Sequence, residues 1–310
     1  MSVRCSSPNL NNGSAKAAFV MIQIGDIRVH LLLDCVTKVD AGGPFGLVPR
    51  ALYKSILAPD ADNLVPMVYH SLFVQTAGMN IIIDTAYGEK IPEKQHVYMQ
   101  SDRSSGGQLA GLARLGIQPQ DIQLVINTHL HGDHCGGNTR FADPADPARG
   151  VVATYPNAEY VVQRREYEDA MHPNERTRAT YLFENYQPLY EKGQLRLLEG
   201  DCELAPGVRG VVAPGHTPGH MAIVIESQGE TFSYVCDLAS YAVHFERLGW
   251  MTSYDVEPLI TLETKRKWQA WALETNALLL FGHDTQRPLG RYTLDEKGRG
   301  VIQPVEAVYA

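Results

Sequence analysis

Residues 128–138 read THLHGDHCGGN and place three imidazoles and one carboxylate within six consecutive positions. An apolar run at 124–126 precedes them and glycines follow, so the pattern predicts a buried strand that opens into a turn. Side chains alternate across a strand, so His129 and His131 can project together. This donor set suits Zn²⁺, and also Fe²⁺, Mn²⁺ or Co²⁺. Four donors this close in sequence cannot easily surround one ion, so other ligands must come from distant positions.

The composition is that of an ordinary globular protein. The chain has 310 residues and 44% of them are hydrophobic, which is enough to bury a substantial core. The net charge is -8, whereas nucleic-acid-binding proteins carry clustered Lys and Arg, so we predict no nucleic-acid partner. No run reaches the roughly 18 apolar residues that cross a membrane, so we predict no membrane partner.

The cysteines indicate a reducing compartment. There are five of them, an odd number without CxxC spacing, which is not a disulfide framework. Residues 1–16 are rich in Ser and Asn and lack the apolar segment of a signal peptide. We therefore predict a cytoplasmic protein with reduced thiols, a flexible tail at 1–16 and a single domain at 17–310.

Apolar runs and turn residues predict the order of the elements. Strands are predicted at 19–24, 27–33, 69–75, 79–83, 124–126, 158–162, 195–198, 208–212, 222–226, 232–236 and 277–281. Helices are predicted at 107–115, 164–192 and 262–275, with Pro173 and Pro188 as starts or breaks within the second. Gly and Pro punctuate residues 37–66, which we predict to be an extended loop with a short helix, near the active site or at a dimer contact.

Polar side chains stand where several predicted strands stop. Besides the motif at 128–138, they are Asp84, His216, Asp237 and His283. Strand ends converge at one rim of a sheet layer, so residues that are distant in sequence can meet there. Antiparallel strands, then mixed strands and helices, then the same order again, predict an α/β fold with two sheets between outer helices.

The motifs that carry a family resemblance extend over residues 19–290. They are the strand before Asp84, HLHGDH at 129–134, PGHT at 214–217, Asp237, and GH at 282–283. In these the chain resembles the metallo-β-lactamase superfamily of metal-dependent hydrolases, which implies an αββα sandwich and a dinuclear metal centre. The resemblance implies one ion held by His129, His131 and His216, a second held by Asp133, His134 and His283, and Asp237 as the bridge.

The implied centre has a known chemistry. Two divalent ions about 3.5–4 Å apart can share a hydroxide, which supplies a nucleophile at neutral pH. We predict zinc, with Fe, Mn or Co as alternatives. Asp84 would orient a ligand imidazole, unless it only caps the end of its strand. His220 would brace the loop of His216.

Two residues distinguish this chain from other branches of the superfamily. Oxygen-reducing flavodiiron members carry a glutamate where this chain has His131, and β-lactamases with a cysteine ligand lack the bridging aspartate, which is Asp237 here. The chain is most similar to N-acyl-homoserine lactonases and related esterases and organophosphate hydrolases, in the stretches 162–167, 199–201, 206–208, 214–220 and 281–284.

One position departs from the lactonase pattern. In those lactonases a tyrosine three residues after the bridging aspartate hydrogen-bonds the substrate carbonyl, whereas this chain has Ser240 there, followed by Tyr241. Tyr241 could reach the substrate if a bulge re-aims it, and His244 is another donor in the same loop. The alternative for both is packing within the loop.

The resemblance implies a hydrolase that opens a lactone or ester of a small molecule with an apolar portion. Tyr241 or His244 would stabilise the oxyanion and Asp133 would carry a proton to the leaving group. Candidates for an apolar pocket are Phe45, Leu47, Tyr53, Phe183, Tyr186 and Trp250. Alternatives are a phosphotriesterase or carboxylesterase of the same fold, a glyoxalase-II-like thioesterase, and an inactive metal-binding scaffold. A homodimer is compatible with the resemblance.

Overall fold

The structure is a computed structural model that describes residues 20–305 of the chain. The tail predicted at 1–16 lies outside the described residues. Two seven-stranded sheets dominate the fold. Among residues 20–305, no helix is both long and apolar enough to cross a membrane.

The first sheet begins with antiparallel strands and continues with parallel ones. Its strands, in spatial order, are β1 (Val20–Ile24), β2 (Ile27–Asp40), β3 (Leu64–Thr76), β4 (Met79–Ile83), β5 (Leu124–Ile126), β8 (Glu159–Gln163) and β9 (Leu195–Leu198). Strands β1 to β4 are antiparallel, whereas β4, β5, β8 and β9 run parallel, with Ile83 beside Ile126. Strands β6 (Thr139–Phe141) and β7 (Val151–Ala153) form a separate hairpin.

The second sheet is antiparallel except at one pair. Its strands are β10 (Cys202–Ala205), β11 (Val208–Val212), β12 (Met221–Ser227), β13 (Glu230–Tyr234), β14 (Leu278–Leu280), β15 (Leu289–Leu294) and β16 (Gly300–Pro304). Strands β13 and β14 are parallel, with Tyr234 beside Leu280. Parallel neighbours end at the same edge, so the chain leaves β13 and β14 on the same side.

Nine described α-helices connect or cover these strands. They are α1 (Gly42–Phe45), α2 (Arg50–Tyr53), α3 (Glu93–Tyr98), α4 (Gly107–Arg114), α5 (Gly132–Cys135), α6 (Arg164–Met171), α7 (Gln187–Glu191), α8 (Ala242–Glu246) and α9 (Pro258–Thr275). Short 3₁₀ turns lie at Pro119–Asp121, Gly136–Asn138, Pro147–Arg149, Phe183–Asn185 and Cys236–Ala239. Pro258 opens α9, and Asn276 ends it in the left-handed conformation.

Three apolar layers follow from the alternation of side chains along the strands. Ile81 and Ile83 of β4 pack in the core between the sheets, whereas Ile82 packs with Leu112 of α4 on the outer face of the first sheet. Trp268 of α9 packs in a third core on the outer face of the second sheet. Strands buried on both faces read as continuous apolar runs. The predicted αββα sandwich is confirmed.

The prediction for residues 37–66 was wrong at both ends. Strand β2 continues to Asp40 and β3 begins at Leu64, with these two residues paired in register. The β-branched residues Thr37 and Val39 suit an extended backbone, and the partner strand supplies the ladder. The true connection is 41–63, and it holds the short helices α1 and α2.

The helical prediction at 164–192, with Pro173 and Pro188 as starts or breaks, was right about the two prolines but too long. Only α6 and α7 are α-helical there, and most of the residues between them form turns. Pro173 follows α6, and the Asn174 side chain accepts hydrogen bonds from the backbone of Arg176 and Thr177. Such a local bond competes with helix formation.

Candidate metal centre

The predicted donors lie together at one rim of the sandwich. Strand β5 leads into His129 and His131, and the one-turn helix α5 carries Asp133 and His134. The other three follow strands of the second sheet: His216 after β11, Asp237 after β13 and His283 after β14. The structure therefore brings all seven together from positions up to 154 residues apart (283 minus 129).

Asp237 occupies the middle of the cluster. Its Oδ2 lies 3.2 Å from His216 Nε2, 3.4 Å from His134 Nε2 and 3.8 Å from His129 Nε2. Its Oδ1 lies 3.1 Å from His283 Nε2. Burial alone would raise the pKa of Asp237, but the surrounding imidazoles hold it well below its usual range. The ionised carboxylate thus lies within 4 Å of four imidazoles, which come from all parts of the cluster.

The other six donors include two trios beside Asp237, and His129 and His134, one from each trio, also lie close to each other and to Asp237. Within each group the donor atoms lie within 4.8 Å of one another. We call them the first half-site, which comprises His129, His131 and His216, and the second half-site, which comprises Asp133, His134 and His283.

The hydrogen bonds of the outer ring nitrogens test whether a cation fits. His134 Nδ1 lies 2.9 Å from Asp84 Oδ2, His216 Nδ1 lies 2.9 Å from Asp255 Oδ1, and His283 Nδ1 lies 2.8 Å from the Val68 carbonyl oxygen. A nitrogen facing such an oxygen carries the proton, so in each neutral ring the Nε2 lone pair points inward.

The inner ring nitrogens face one another. His134 Nε2 lies 3.2 Å from His283 Nε2, and His216 Nε2 lies 3.1 Å from His131 Nδ1. His129 Nε2 is buried without a hydrogen-bond partner. Converging lone pairs repel each other unless a cation lies among them, so the residues of both half-sites fit a divalent metal ion.

Asp84 has the contacts expected of an orienting residue. Besides His134 Nδ1, its carboxylate accepts from the backbone N–H and the hydroxyl of Thr128, each at 2.8 Å. Asp84 has a left-handed backbone (φ 55°), which costs energy for a residue other than glycine. The hydrogen bonds hold this conformation where β4 ends.

His220 lies beside the first half-site. Its Nδ1 lies 3.0 Å from the carbonyl oxygen of Ala213, which ties the two ends of the His216 loop. Its ring centroid is 5.3 Å from that of His129. Burial, reinforced by His216, lowers the pKa of His220 to about 3, so its ring is neutral.

Tyr241 and His244 are packed in an aromatic cluster. The Tyr241 hydroxyl donates to the carbonyl oxygen of Pro66 at 3.2 Å. His244 is buried, with ring centroids 5.4 Å from Tyr241 and 5.9 Å from Phe45. Position 240, where lactonases have the tyrosine, is Ser240, whose hydroxyl donates to Asp237 Oδ1 at 3.2 Å. The catalytic roles of Tyr241 and His244 stay predictions.

The residues predicted to line an apolar pocket have different environments. Phe45 stacks on Tyr53 at 4.3 Å and packs edge-on against Trp250 at 6.2 Å. Tyr186 is buried, and its hydroxyl donates to the Ala170 carbonyl oxygen. In contrast, Leu47 is fully exposed and Phe183 is 43% exposed.

Two carboxylates with direct bearing on the centre were not among the predicted site residues. Asp255 accepts from His216 Nδ1 and from the Thr252 hydroxyl. Glu166, on α6, is buried against the loops that carry the first half-site. Burial raises the pKa of Glu166, and hydrogen bonds from Thr217 and other donors oppose that shift. The only sequence signal was that Glu166 falls within a lactonase-like stretch; Asp255 had none.

A family model described as the metallo-beta-lactamase superfamily matches residues 65–283, well over half of the chain. The chain belongs to this superfamily. The family resemblance predicted from the motifs is thereby confirmed.

Individual relatives of this superfamily member agree with that assignment. An N-acyl homoserine lactonase of Bacillus cereus is 27% identical over 256 residues, which cover 79% of this chain and 91% of the relative. The crystal structure of a probable metal-dependent hydrolase from Staphylococcus aureus is 30% identical with a TM-score of 0.80, covering 92% of this chain and 100% of the other.

A more distant solved structure shows the fold alone. The dizinc quorum-quenching lactonase AidC, in complex with a product, is 22% identical with a TM-score of 0.76, covering 93% of this chain and 98% of AidC.

Proposed function

We propose that this protein is a dinuclear metal-dependent hydrolase that opens lactone rings, with N-acyl homoserine lactones as its substrate class. The observation that carries the proposal is the division of six donors into two half-sites on either side of Asp237. Support for the substrate class comes from the Bacillus cereus lactonase, because it matches most of the length of both chains.

The donor set favours zinc in both half-sites, with Fe, Mn or Co as alternatives. When bound, such ions would lower the pKa of a coordinated water and polarise the oxygen of the substrate carbonyl. Asp84 and Asp255 fix the tautomers and orientations of His134 and His216, which keeps the inner nitrogens available as ligands.

Asp133 is the donor best placed to exchange protons with a substrate. Its side chain is 21% exposed, whereas the side chain of Asp237 is 7% exposed. A carboxylate at the open side of the centre can carry a proton to the alkoxide that leaves when the ring opens. We assign that role to Asp133.

Two connecting segments pack against the loops of the centre, and each exposes an apolar side chain. In the connection 41–63, Gly43 O accepts from the backbone N–H of Ser253, beside the loop of Asp255. In the turns before α7, Thr180 O accepts from Gly132 N–H. Leu47 on the first segment and Phe183 on the second are exposed, which suits a substrate with an acyl chain.

The test is ring opening by the metal-loaded protein, measured as proton release. We expect turnover of N-acyl homoserine lactones, its loss after chelation and its return with Zn²⁺, Mn²⁺ or Co²⁺. Aryl esters, paraoxon and a glutathione thioester are assayed in parallel. Turnover of the phosphotriester or thioester without any turnover of lactones would refute the lactonase proposal. It would still support a metal-dependent hydrolase.

The cellular setting is part of the proposal. We place the protein in the cytoplasm, which the four free cysteines of the described residues support. Cell fractionation tests the location. A homodimer through residues 37–66 stays a prediction, and light scattering at several protein concentrations tests it.

A further inference from the structure

Glu166 is a carboxylate buried among hydrogen-bond donors, with no exposed surface. Its Oε1 accepts from Leu130 N–H at 3.0 Å and from the Tyr181 hydroxyl at 3.1 Å, and its Oε2 accepts from the Thr217 hydroxyl at 2.5 Å. Removing a carboxylate from water is costly unless donors satisfy its oxygens. Such a group is therefore tightly fixed to its three partners.

Two of these partners belong to the loops that carry the first half-site. Leu130 immediately precedes His131, and Thr217 immediately follows His216. One carboxylate thus joins the two loops, one bond on each oxygen. The loops bring His131 Nδ1 to 3.1 Å from His216 Nε2. The position of Glu166 therefore bears directly on the spacing of these two nitrogens.

The third partner acts on the same half-site. The ring centroid of Tyr181 lies 5.2 Å from that of His131. Because the Tyr181 hydroxyl is held by Glu166 Oε1, the same carboxylate also fixes the ring that packs against this imidazole. All three donors to Glu166 therefore lie next to His131 or His216.

The backbone of α6 also lies in direct contact with the His216 loop. A Cβ at Gly219 would lie 2.3 Å from Glu166 N and 2.6 Å from Glu166 Cα. Real side chains do not approach a backbone so closely, so only glycine permits the contact. Packing and hydrogen bonding thus hold Glu166 to the same loop.

The second half-site is oriented by other groups. His134 is held by Asp84, and His283 is held by the carbonyl oxygen of Val68. The hydrogen bonds accepted by the Glu166 side chain involve none of these residues. An effect of Glu166 should therefore be specific to one of the two half-sites.

We propose that Glu166 is a positioning residue that sets the separation of His131 and His216 and thereby the affinity of the first half-site for its ion. This inference rests on the metal centre proposed above. It assigns Glu166 no contact with substrate and no part in proton transfer.

The test measures metal affinity in two backgrounds that each retain one half-site. His283→Ala leaves the first half-site, and His216→Ala leaves the second. Metal-free proteins are titrated with Zn²⁺ against a chromophoric chelator, and with Co²⁺ by visible absorption. We expect Glu166→Gln to weaken Zn²⁺ binding about tenfold in the His283→Ala background, as for other groups that orient ligands. In the His216→Ala background we expect no change.

Two controls separate positioning from folding. Glu166→Gln keeps the volume and one carbonyl oxygen, and the melting temperatures of the metal-free proteins report its structural cost. Thr217→Val removes a single donor to Oε2 and should weaken the same half-site. Combined with Glu166→Gln, it should weaken Zn²⁺ binding little further, because both changes disrupt the same hydrogen bond.

Equal weakening in both backgrounds, or unchanged affinity in the His283→Ala background, would overturn the role of Glu166. Retention of two bound ions by either background would instead overturn the ligand assignment on which the proposal rests. Because these readouts need no substrate, a failed lactonase assay leaves them interpretable.

Discussion

The two half-sites share Asp237 but differ in charge and exposure. The first consists of three imidazoles, each almost fully buried. Burial and neighbouring imidazoles lower the pKa of His129 and His131 well below the ordinary value, so both rings are neutral. The second includes Asp133, an anionic donor with a side chain that is 21% exposed. The first half-site is therefore buried and contains no carboxylate of its own, whereas the second includes a partly exposed one.

The half-sites are also anchored in different ways. A carboxylate orients one imidazole in each: Asp255 for His216 and Asp84 for His134. His283 has only a backbone carbonyl as its outer partner, whereas the loops of the first half-site are also joined through Glu166. The comparison shows that the donors of the first half-site are fixed by an extended network. Those of the second are fixed by shorter-range contacts and include a partly exposed carboxylate.

The largest expected effect comes from removing the group that the half-sites share. Asp237→Ala should weaken the binding of both proposed ions and lower kcat/KM for lactone opening about 10³-fold or more, because Asp237 contacts imidazoles of both half-sites. Metal content after dialysis and proton-release kinetics measure this. Asp146→Ala, an exposed aspartate on a loop, is the matched control. Two tightly bound ions in the Asp237→Ala protein would contradict the bridging assignment.

A smaller effect should separate the half-sites. Asp255→Asn and Asp84→Asn each replace an orienting carboxylate by an amide, and each should cost about 10–100-fold in the affinity of its own half-site. Zinc competition in the His283→Ala and His216→Ala backgrounds tells which ion is affected. The two variants serve as controls for each other. If both variants weakened the binding of the same ion, the division of the donors into two half-sites would be wrong.

The smallest effect should come from Tyr241, which lies outside both half-sites. Its hydroxyl already donates to the Pro66 carbonyl oxygen, so Tyr241→Phe should change kcat by less than about fivefold, the equivalent of one ordinary hydrogen bond. Steady-state kinetics with a lactone measure it. A fall of about 10²–10³-fold in kcat at unchanged KM would show that Tyr241 moves onto the developing oxyanion, as the resemblance implies.

The positions of the seven donors could be predicted because the signals are local. His129, His131, Asp133 and His134 form a dense motif after an apolar run, and the remaining three each follow a predicted strand. Strand ends meet at a rim, so convergence could be inferred without knowing the pairing. The structure brings all seven together at one rim of the sandwich.

The supporting carboxylates could not be predicted in the same way. Asp255 meets His216 across 39 residues, and Glu166 meets Thr217 across 51. An aspartate in a turn and a glutamate in a helix are common at the surface, and only tertiary packing makes these two buried. The ends of β2 and β3 were predicted wrongly for a related reason. Asp40 and Leu64 are extended because each pairs with the other.

The connection 41–63 has a consequence for engineering. It packs on the loop of Asp255 yet contributes none of the seven donors. Randomised libraries in this connection can therefore vary the acyl groups that the proposed lactonase accepts without replacing any of the seven donors. The connection and the seven donors lie in separate stretches of the gene, so each can be varied while the other is held constant.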